Sequence, residues 1–227
     1  MTITQGPAAR NLLRHALASG ALKINGTWKT KAGRQSPYFF DAGSFSRGSD
    51  WRTLAEAYAA VIATNFQKLG SPQVLYGPAY KGIPIAVAVA LVLVTKYGID
   101  LDVVFNRKEP KDHGEGGELI GKSITSKRVL LLDDVLSAGD AKREAANLIL
   151  KYEGVLYGCV IALDRQERDR EGPISAVEKF ANDYNIPVLA AATRDDLILY
   201  LVEEGSSVPG GREALSKIRA YKEEYGA

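Results

Sequence analysis

Apolar positions along this chain recur in two periods, and their alternation predicts an α/β protein. Leu12, Leu13, Ala16 and Leu17 repeat at helical spacing in a stretch opened by Gly6-Pro7. ALKI (21–24) and TWKT (27–30) flank Asn25-Gly26, a two-residue turn signal that predicts a β-hairpin. Phe39-Phe40 falls on a short strand between Gly/Pro/Ser turns. Neighbours in a strand face opposite ways, so one ring can cover a ligand while the other packs inward, or both belong to the core. Ser49 and Asp50 stand where they can cap a helix running to about residue 68. VLYG (74–77) reads as a short buried strand and PAYKG (78–82) as a loop. A helix follows from 83 to about 96, apolar on nearly every side and so expected to be buried, with Pro84 tolerated in its first turn. LDVVF (101–105) is the next strand. VLLL (129–132) is a continuous apolar run of the kind found in a parallel strand covered on both faces. A helical pattern spans about 140–151, a strand runs from 155 to Asp164-Arg165-Gln166, and helix, strand (187–191) and helix follow. Residues 210–224 form a charged terminal helix.

Composition narrows the function classes. A chain of 227 residues without repeat, low-complexity tract or linker reads as one domain, 1–227. A formal charge of +2 gives no reason to expect nucleic-acid or membrane partners. The longest apolar run, 83–94, is too short for a membrane span, and the N-terminus lacks a charged-then-apolar signal pattern. The single Cys159 cannot form an internal disulfide and lies in the apolar run 157–162, so it reads as a small core residue in a reducing compartment. Cytoplasm is the expected location. Asn25-Gly26-Thr27 fits a glycosylation pattern but reads there as a turn. His15 sits among polar positions of the first helix and receives no function.

Three strand ends carry chemistry. Asp133 and Asp134 follow the run at 129–132, and a small-residue turn (Ser137, Ala138, Gly139) then opens a helix. Ligands of open α/β sheets bind beyond the carboxyl ends of strands, and such a turn offers N–H groups to a phosphate. Carboxylates for sugar hydroxyls or a metal, beside a phosphate cradle, suggest a phosphorylated sugar. Tyr80 and Lys81 stand at a second strand-to-helix junction, where Lys81 could meet a pyrophosphate. Arg165, at a third strand end, carries a planar fork suited to a carboxylate or imide edge, or else pairs with Asp164 or Glu167. NRKEPKDHGEGG (106–117) has no apolar anchor. It reads as a solvated linker, or as a lid whose Arg107, Lys108, Lys111 and His113 close over an anionic leaving group.

GGELIGKS (116–123) satisfies the G-x-x-x-x-G-K-[ST] pattern of nucleotide-binding loops. That motif works only with a strand before it and a helix after the Lys. Here a polar loop precedes it, and only residues 123–128 separate it from the next strand, too few for a parallel crossover. The match is rejected.

Read together, KAGRQSPYFFDAG, YGPAYKGIPIA, FNRKEPKDHGEGGELIG, VLLLDDVLSAGDA and ALDRQE, in this order over about residues 20–170, resemble the orotate phosphoribosyltransferases, members of the type I phosphoribosyltransferase family. The block VLLLDDVLSAGDA is shared across that superfamily; the lid and SPYFF blocks are specific to the orotate enzymes. The resemblance implies a parallel sheet flanked by helices, a small N-terminal hood mainly from about 20–45 and a flexible catalytic loop at about 106–118. It also implies transfer of the phosphoribosyl group from phosphoribosyl pyrophosphate to orotate, giving orotidine 5'-phosphate and pyrophosphate in UMP biosynthesis, with Mg²⁺. On that resemblance Phe39 and Phe40 meet the orotate ring, with Ser137 beside it, and Arg165 binds its polar edge. Lys31, Tyr80 and Lys81 face phosphoribosyl pyrophosphate. Asp133 and Asp134 hold the ribose hydroxyls, possible contacts for the metal too. Val135, Leu136, Ser137, Ala138, Gly139, Asp140 and Ala141 surround the 5'-phosphate. Arg107, Lys108, Lys111 and His113 bind the pyrophosphate, His113 as anion ligand or proton donor. The loop reaches a neighbouring subunit's site, which implies a homodimer.

Two residues depart from the family pattern. Asp140 stands where Thr is common and is expected to turn away and cap the helix, and Pro110 should restrict the lid. Ser137 also replaces a Thr. The other readings are a phosphoribosyltransferase for another base, or a sensor of phosphoribosyl pyrophosphate, which would not need a cationic lid. The stretch after 170 is expected to be too short for a second catalytic domain; pairing with a separate decarboxylase is left open.

Overall fold

A computed structural model describes residues 6–111, 117–136, 140–169 and 172–227. Helix α1 (Pro7–Ser19) begins on the proline, as the sequence predicts, and ends on Gly20 in the left-handed region. Four two-residue strands follow: β1 (Leu22–Lys23), β2 (Trp28–Lys29), β3 (Gln35–Ser36) and β4 (Phe39–Phe40). After α2 (Gly48–Thr64) come strands β5 (Val74–Gly77), β6 (Asp102–Lys111), β7 (Gly117–Ile120), β8 (Arg128–Asp133), β9 (Val155–Asp164) and β10 (Val188–Thr193), with helices after β10 and between all but β6, β7 and β8. These are α3 (Gly82–Val92), α4 (Asp140–Lys151), α5 (Ala176–Tyr184), α6 (Arg194–Glu204) and α7 (Gly211–Tyr225).

Among the described residues the six longer strands form one sheet in the order β10-β9-β8-β5-β6-β7, parallel except for β7. The apolar run in β8 has the predicted cause. Leu130 and Leu132 face a core shared with α1, α2, α3, α6 and α7, whereas Val129 and Leu131 face a second core with α4 and α5. Cys159 is fully buried on the second side. The rejected nucleotide-loop match lies on β7 and the turn after it. Lys122 pairs with Asp102 at 2.9 Å, and strand β8 rather than a helix comes next.

Four expectations are corrected. Asn25-Gly26 does not close a hairpin: Leu22 and Lys23 pair with Phe40 and Phe39, and β2 pairs with β3 instead. The hairpin forms one turn later, where Gly33 adopts a φ of 82° and Thr30 and Arg34 bond across the turn. The Asn25 amide is engaged elsewhere, donating to the Pro209 carbonyl. The stretch 106–111, expected to be loop, continues β6, because β7 supplies antiparallel partners such as Leu119 for Asn106. Lys108 and Glu109 are exposed there, which suits their charge. The third correction concerns α3, which is buried through Ile85, Ala86 and Val89 but exposes Val87 and Leu91, with Val94 in the π-turn that follows. Finally, α2 stops at Thr64 rather than near 68, and Asp50 serves its start by accepting the N–H groups of Ser46 and Arg47 at 3.0 and 2.9 Å.

Candidate active site

A cavity of about 430 Å³ opens at the carboxyl ends of β5, β8 and β9, with the N-terminal hood as its opposite wall. The sheet wall is held largely by backbone. The Asp134 carbonyl accepts the N–H of Ala162 (2.9 Å) and Leu163 (3.2 Å), and the Tyr58 hydroxyl on α2 donates to the Asp133 carbonyl at 2.6 Å. Each aspartate carboxylate accepts the next residue's N–H at 2.8 Å, which orients both at the cavity. Burial and the two aspartates push the Tyr58 hydroxyl up, so it stays a donor. At the β5–α3 junction the chain folds so tightly that a Cβ on Gly77 would lie 2.2 Å from the Gly82 carbonyl oxygen; only glycine fits.

Lys81 leaves that junction and places its Nζ 2.7 Å from Asp41 Oδ1 and 3.2 Å from Asp134 Oδ2. Partial burial alone would lower the Lys81 ammonium, but the bond to Asp41 and the charge of Asp134 outweigh it and raise it. Asp41 moves oppositely: desolvation raises it, and the bonds from Lys81 and the Gly43 N–H bring it below its ordinary value. Tyr80 is 69% exposed, its ring 5.6 Å beneath the Lys108 ammonium. The Ala79 N–H donates to the Asn106 side chain at 2.9 Å, so the loop 78–82 is tied to the β6–β7 hairpin.

On the hood side the strand alternation holds. Phe40 is buried against Phe45, and Phe39 is half-buried, stacked on Trp28 with centroids 6.3 Å apart. Lys31 is exposed at the rim. Arg165 joins the two walls. Its Nη2 donates to Ser36 Oγ at 2.8 Å and lies 2.7 Å from Glu167 Oε1, and its guanidinium sits 4.5 Å from the Tyr38 ring centroid. The alternative pairing with Glu167 is therefore present, but buried (side chain 11% exposed) rather than on the surface. Burial opposes the Arg165 charge; Tyr38 and Glu167 overcome it and raise its pKa. Nearby Asp164 is pushed up, chiefly by burial.

The cavity thus brings together Lys31, Phe39, Phe40, Tyr80, Lys81 and Arg165 with Asp133, Asp134, Val135 and Leu136. Arg107 and Lys108 stand on β6 and are not part of its lining among the described residues; the Arg107 guanidinium donates to the Gly117 carbonyl across the hairpin at 3.3 Å. Lys111 ends β6, and Asp140 and Ala141 begin α4 at the position predicted. The expectation that the Asp140 side chain caps α4 concerns a side chain outside the description. His113, Ser137, Ala138 and Gly139 lie outside the described residues. Sequence reasoning missed Asp41, Tyr58, Ser36 and the His15–Asp50 pair, whose Nε2 and Oδ1 are 2.8 Å apart. The only signal for Asp41 was its place directly after the paired phenylalanines.

The donors at the sheet edge are carboxylate oxygens, which suit a hard cation such as Mg²⁺. No group of three or more His, Cys, Asp or Glu residues able to hold a metal occurs among the described residues, so a cation here would take part of its shell from substrate oxygens.

Comparison with known proteins agrees with this geometry. The family model for the phosphoribosyl transferase domain matches residues 50–188. Orotate phosphoribosyltransferases of Shigella flexneri and Escherichia coli are each 44% identical over 220 residues, covering 97% of this chain and 99% of theirs. The crystal structure of orotate phosphoribosyltransferase from Francisella tularensis superposes with a TM-score of 0.79 at 38% identity, covering 95% of this chain and 98% of that one. Fold, cleft and likeness agree: the chain belongs to the phosphoribosyltransferases, and among them to the orotate phosphoribosyltransferase family.

Proposed function

We propose that the cleft between the hood and the ends of β5, β8 and β9 is where this enzyme transfers the phosphoribosyl group from phosphoribosyl pyrophosphate to orotate, giving orotidine 5'-phosphate and pyrophosphate in pyrimidine biosynthesis. The observation that carries this assignment of the site is the convergence of Phe39, Lys81, Asp134 and Arg165, from four separate segments, on one cavity. In the reaction the bond from ribose C1 to the pyrophosphate oxygen breaks, its electron pair leaves on the pyrophosphate, and a ring nitrogen of orotate supplies the pair for the new bond as its N–H proton is given up to the departing pyrophosphate or to water. Positive charge develops on the sugar, where Asp133 and Asp134 face it. Negative charge develops on pyrophosphate, for which Lys81 and, in this reading, the lid cations Arg107, Lys108, Lys111 and His113 are the counter-charges. Phe39 covers the orotate ring and Arg165 meets its polar edge. The turn 135–141 holds the 5'-phosphate on N–H groups opening α4.

Mg²⁺ is part of this reading: when bound it neutralises pyrophosphate charge, held by substrate oxygens with Asp133 or Asp134 as the protein's contribution. A homodimer is part of the reading, supported by the apolar stripe Val87, Leu91, Val94 on α3 and its π-turn, a face without cover in the single chain (Leu91 is 61% exposed); in such a dimer the lid would serve the neighbouring site. Single, buried Cys159 suits a reducing cytoplasmic setting.

The test mixes protein, orotate, phosphoribosyl pyrophosphate and Mg²⁺ and follows loss of orotate absorbance alongside pyrophosphate release, with Lys111→Ala beside it. Equal consumption and release that collapse in the variant are expected; no turnover, with phosphoribosyl pyrophosphate still bound, would move the assignment to another base or to a sensor. Leu91→Asp should yield a monomer by light scattering and lose activity with it. A fully active monomer would remove both the interface and the shared lid.

A further inference from the structure

Lys81 is held between two carboxylates, not one, and the second has no role in the site as described so far. Asp41 belongs to the hood. Its own N–H donates to the Ala21 carbonyl at 2.9 Å, and its carboxylate accepts the Gly43 N–H at 3.0 Å and faces the Ser44 hydroxyl at 3.4 Å. A carboxylate fixed in this way by a short 3-10 turn cannot follow a moving partner. The Lys81 ammonium, on a flexible four-carbon stem and half exposed, can. With Asp134 at 3.2 Å, the three side chains place one cation between two anions; Lys81 and Asp134 line the cavity, and Asp41 stands behind the lysine.

We propose that Asp41 is the resting counter-ion of Lys81, a competitor built into the hood that the pyrophosphate group must displace before Lys81 can hold it. The inference rests on the site assignment above and adds a residue to it that sets affinity for phosphoribosyl pyrophosphate without touching the reacting atoms. Asp41 is thus a positioning residue. Its carboxylate weakens ground-state binding of the pyrophosphate group, on substrate and product alike, because the ammonium must exchange one anion for another. It also keeps the unliganded lysine extended toward Asp134 rather than free in solvent. No bond to the substrate backbone or base is involved, so affinity for orotate should not depend on it.

Asp41→Asn tests this with little change in shape: the amide oxygen can still accept from Gly43, and only the charge is lost. Calorimetric titration with phosphoribosyl pyrophosphate and with inorganic pyrophosphate, each with Mg²⁺, should show ~2- to 5-fold tighter binding by the variant, the size expected from releasing a half-exposed ion pair. The KM for orotate should stay within about twofold, since charge effects of this kind are local. The same substitution made in a Lys81→Met background should change both affinities by less than about twofold, the signature of action through the lysine. Equal tightening with and without Lys81 would overturn the proposal in favour of direct repulsion between Asp41 and the ligand. Unchanged or weaker binding in the single variant would also overturn it, and weaker binding with a lowered melting temperature would make Asp41 structural only. Failure of the unaltered protein to bind either ligand would instead sink the site assignment on which the inference stands.

Discussion

The sheet wall of the cleft and the hood wall face each other across Lys81, but different interactions hold them. On the sheet side, Asp133 ends β8, four of whose six residues are buried, and Asp134 follows it, with their carbonyls fixed by Tyr58 and by the N–H groups of β9. On the hood side the strands are two residues long, and position is set by side chains: Arg165 to Ser36 and Glu167, and Lys81 to Asp41. Backbone ladders do not change when a side chain is exchanged. Side-chain contacts do. A substitution on the sheet wall should therefore alter chemistry and leave the fold, whereas one on the hood wall should alter both binding and stability.

Asp134→Asn makes the strongest test. Its backbone bonds to Ala162 and Leu163 survive the substitution, so the melting temperature should move by no more than a degree or two. Removing one charged group aimed at the developing positive charge should lower kcat by ~10²- to 10³-fold. Initial rates and a thermal scan on the same sample check both halves, and a large loss of stability would break the contrast between the walls. Arg165→Met should behave in the opposite way. It leaves Glu167 partly unpaired in a buried place and removes the bond to Ser36, costing about 2–4 kcal/mol of stability, while the KM for orotate rises. Denaturant unfolding and the KM measure these separately. Unchanged stability would mean that the hood does not depend on this bridge.

The same difference explains what could be read from the sequence. Long apolar runs report burial directly, so β8, β9, the start of α4 at Asp140 and the strand ends carrying Lys81, Asp133 and Arg165 were legible. The hood was not. Asn25-Gly26 is a strong local signal, but the pairing partners of β1 lie sixteen or more residues on, and a long-range contact outweighed the turn. The polar run after Phe105 looked like loop because strand composition presumes a covered face, whereas an edge hairpin needs only a partner for its backbone. The outer stripe of α3 was read as core because composition alone cannot separate a face covered by the same chain from one left open. Asp41 and Tyr58 were missed because an isolated acid or tyrosine carries no pattern; their importance comes from what folding places 2.7 and 2.6 Å away.

The smallest expected effect lies behind the hood, where the chain turns into α2. Asp50 accepts the N–H groups of Ser46 and Arg47, and its Oδ1 lies 2.8 Å from His15 on α1, which ties the two helices at the base of the hood. The Arg47 N–H first, and His15 next, hold this carboxyl down at about 2, below its ordinary value of 3.8. A depressed carboxyl favours the folded state only while it is ionised. Its contribution is therefore complete above the unfolded pKa and is lost as pH falls from about 4 through about 2. In thermal scans across that range the unaltered protein should lose melting temperature more steeply than Asp50→Asn, whose amide cannot titrate, with the two curves converging at the acid end. Parallel curves would mean that other carboxylates govern the acid limb, and that the hood's base, unlike its face toward the cleft, does not rely on a side-chain charge.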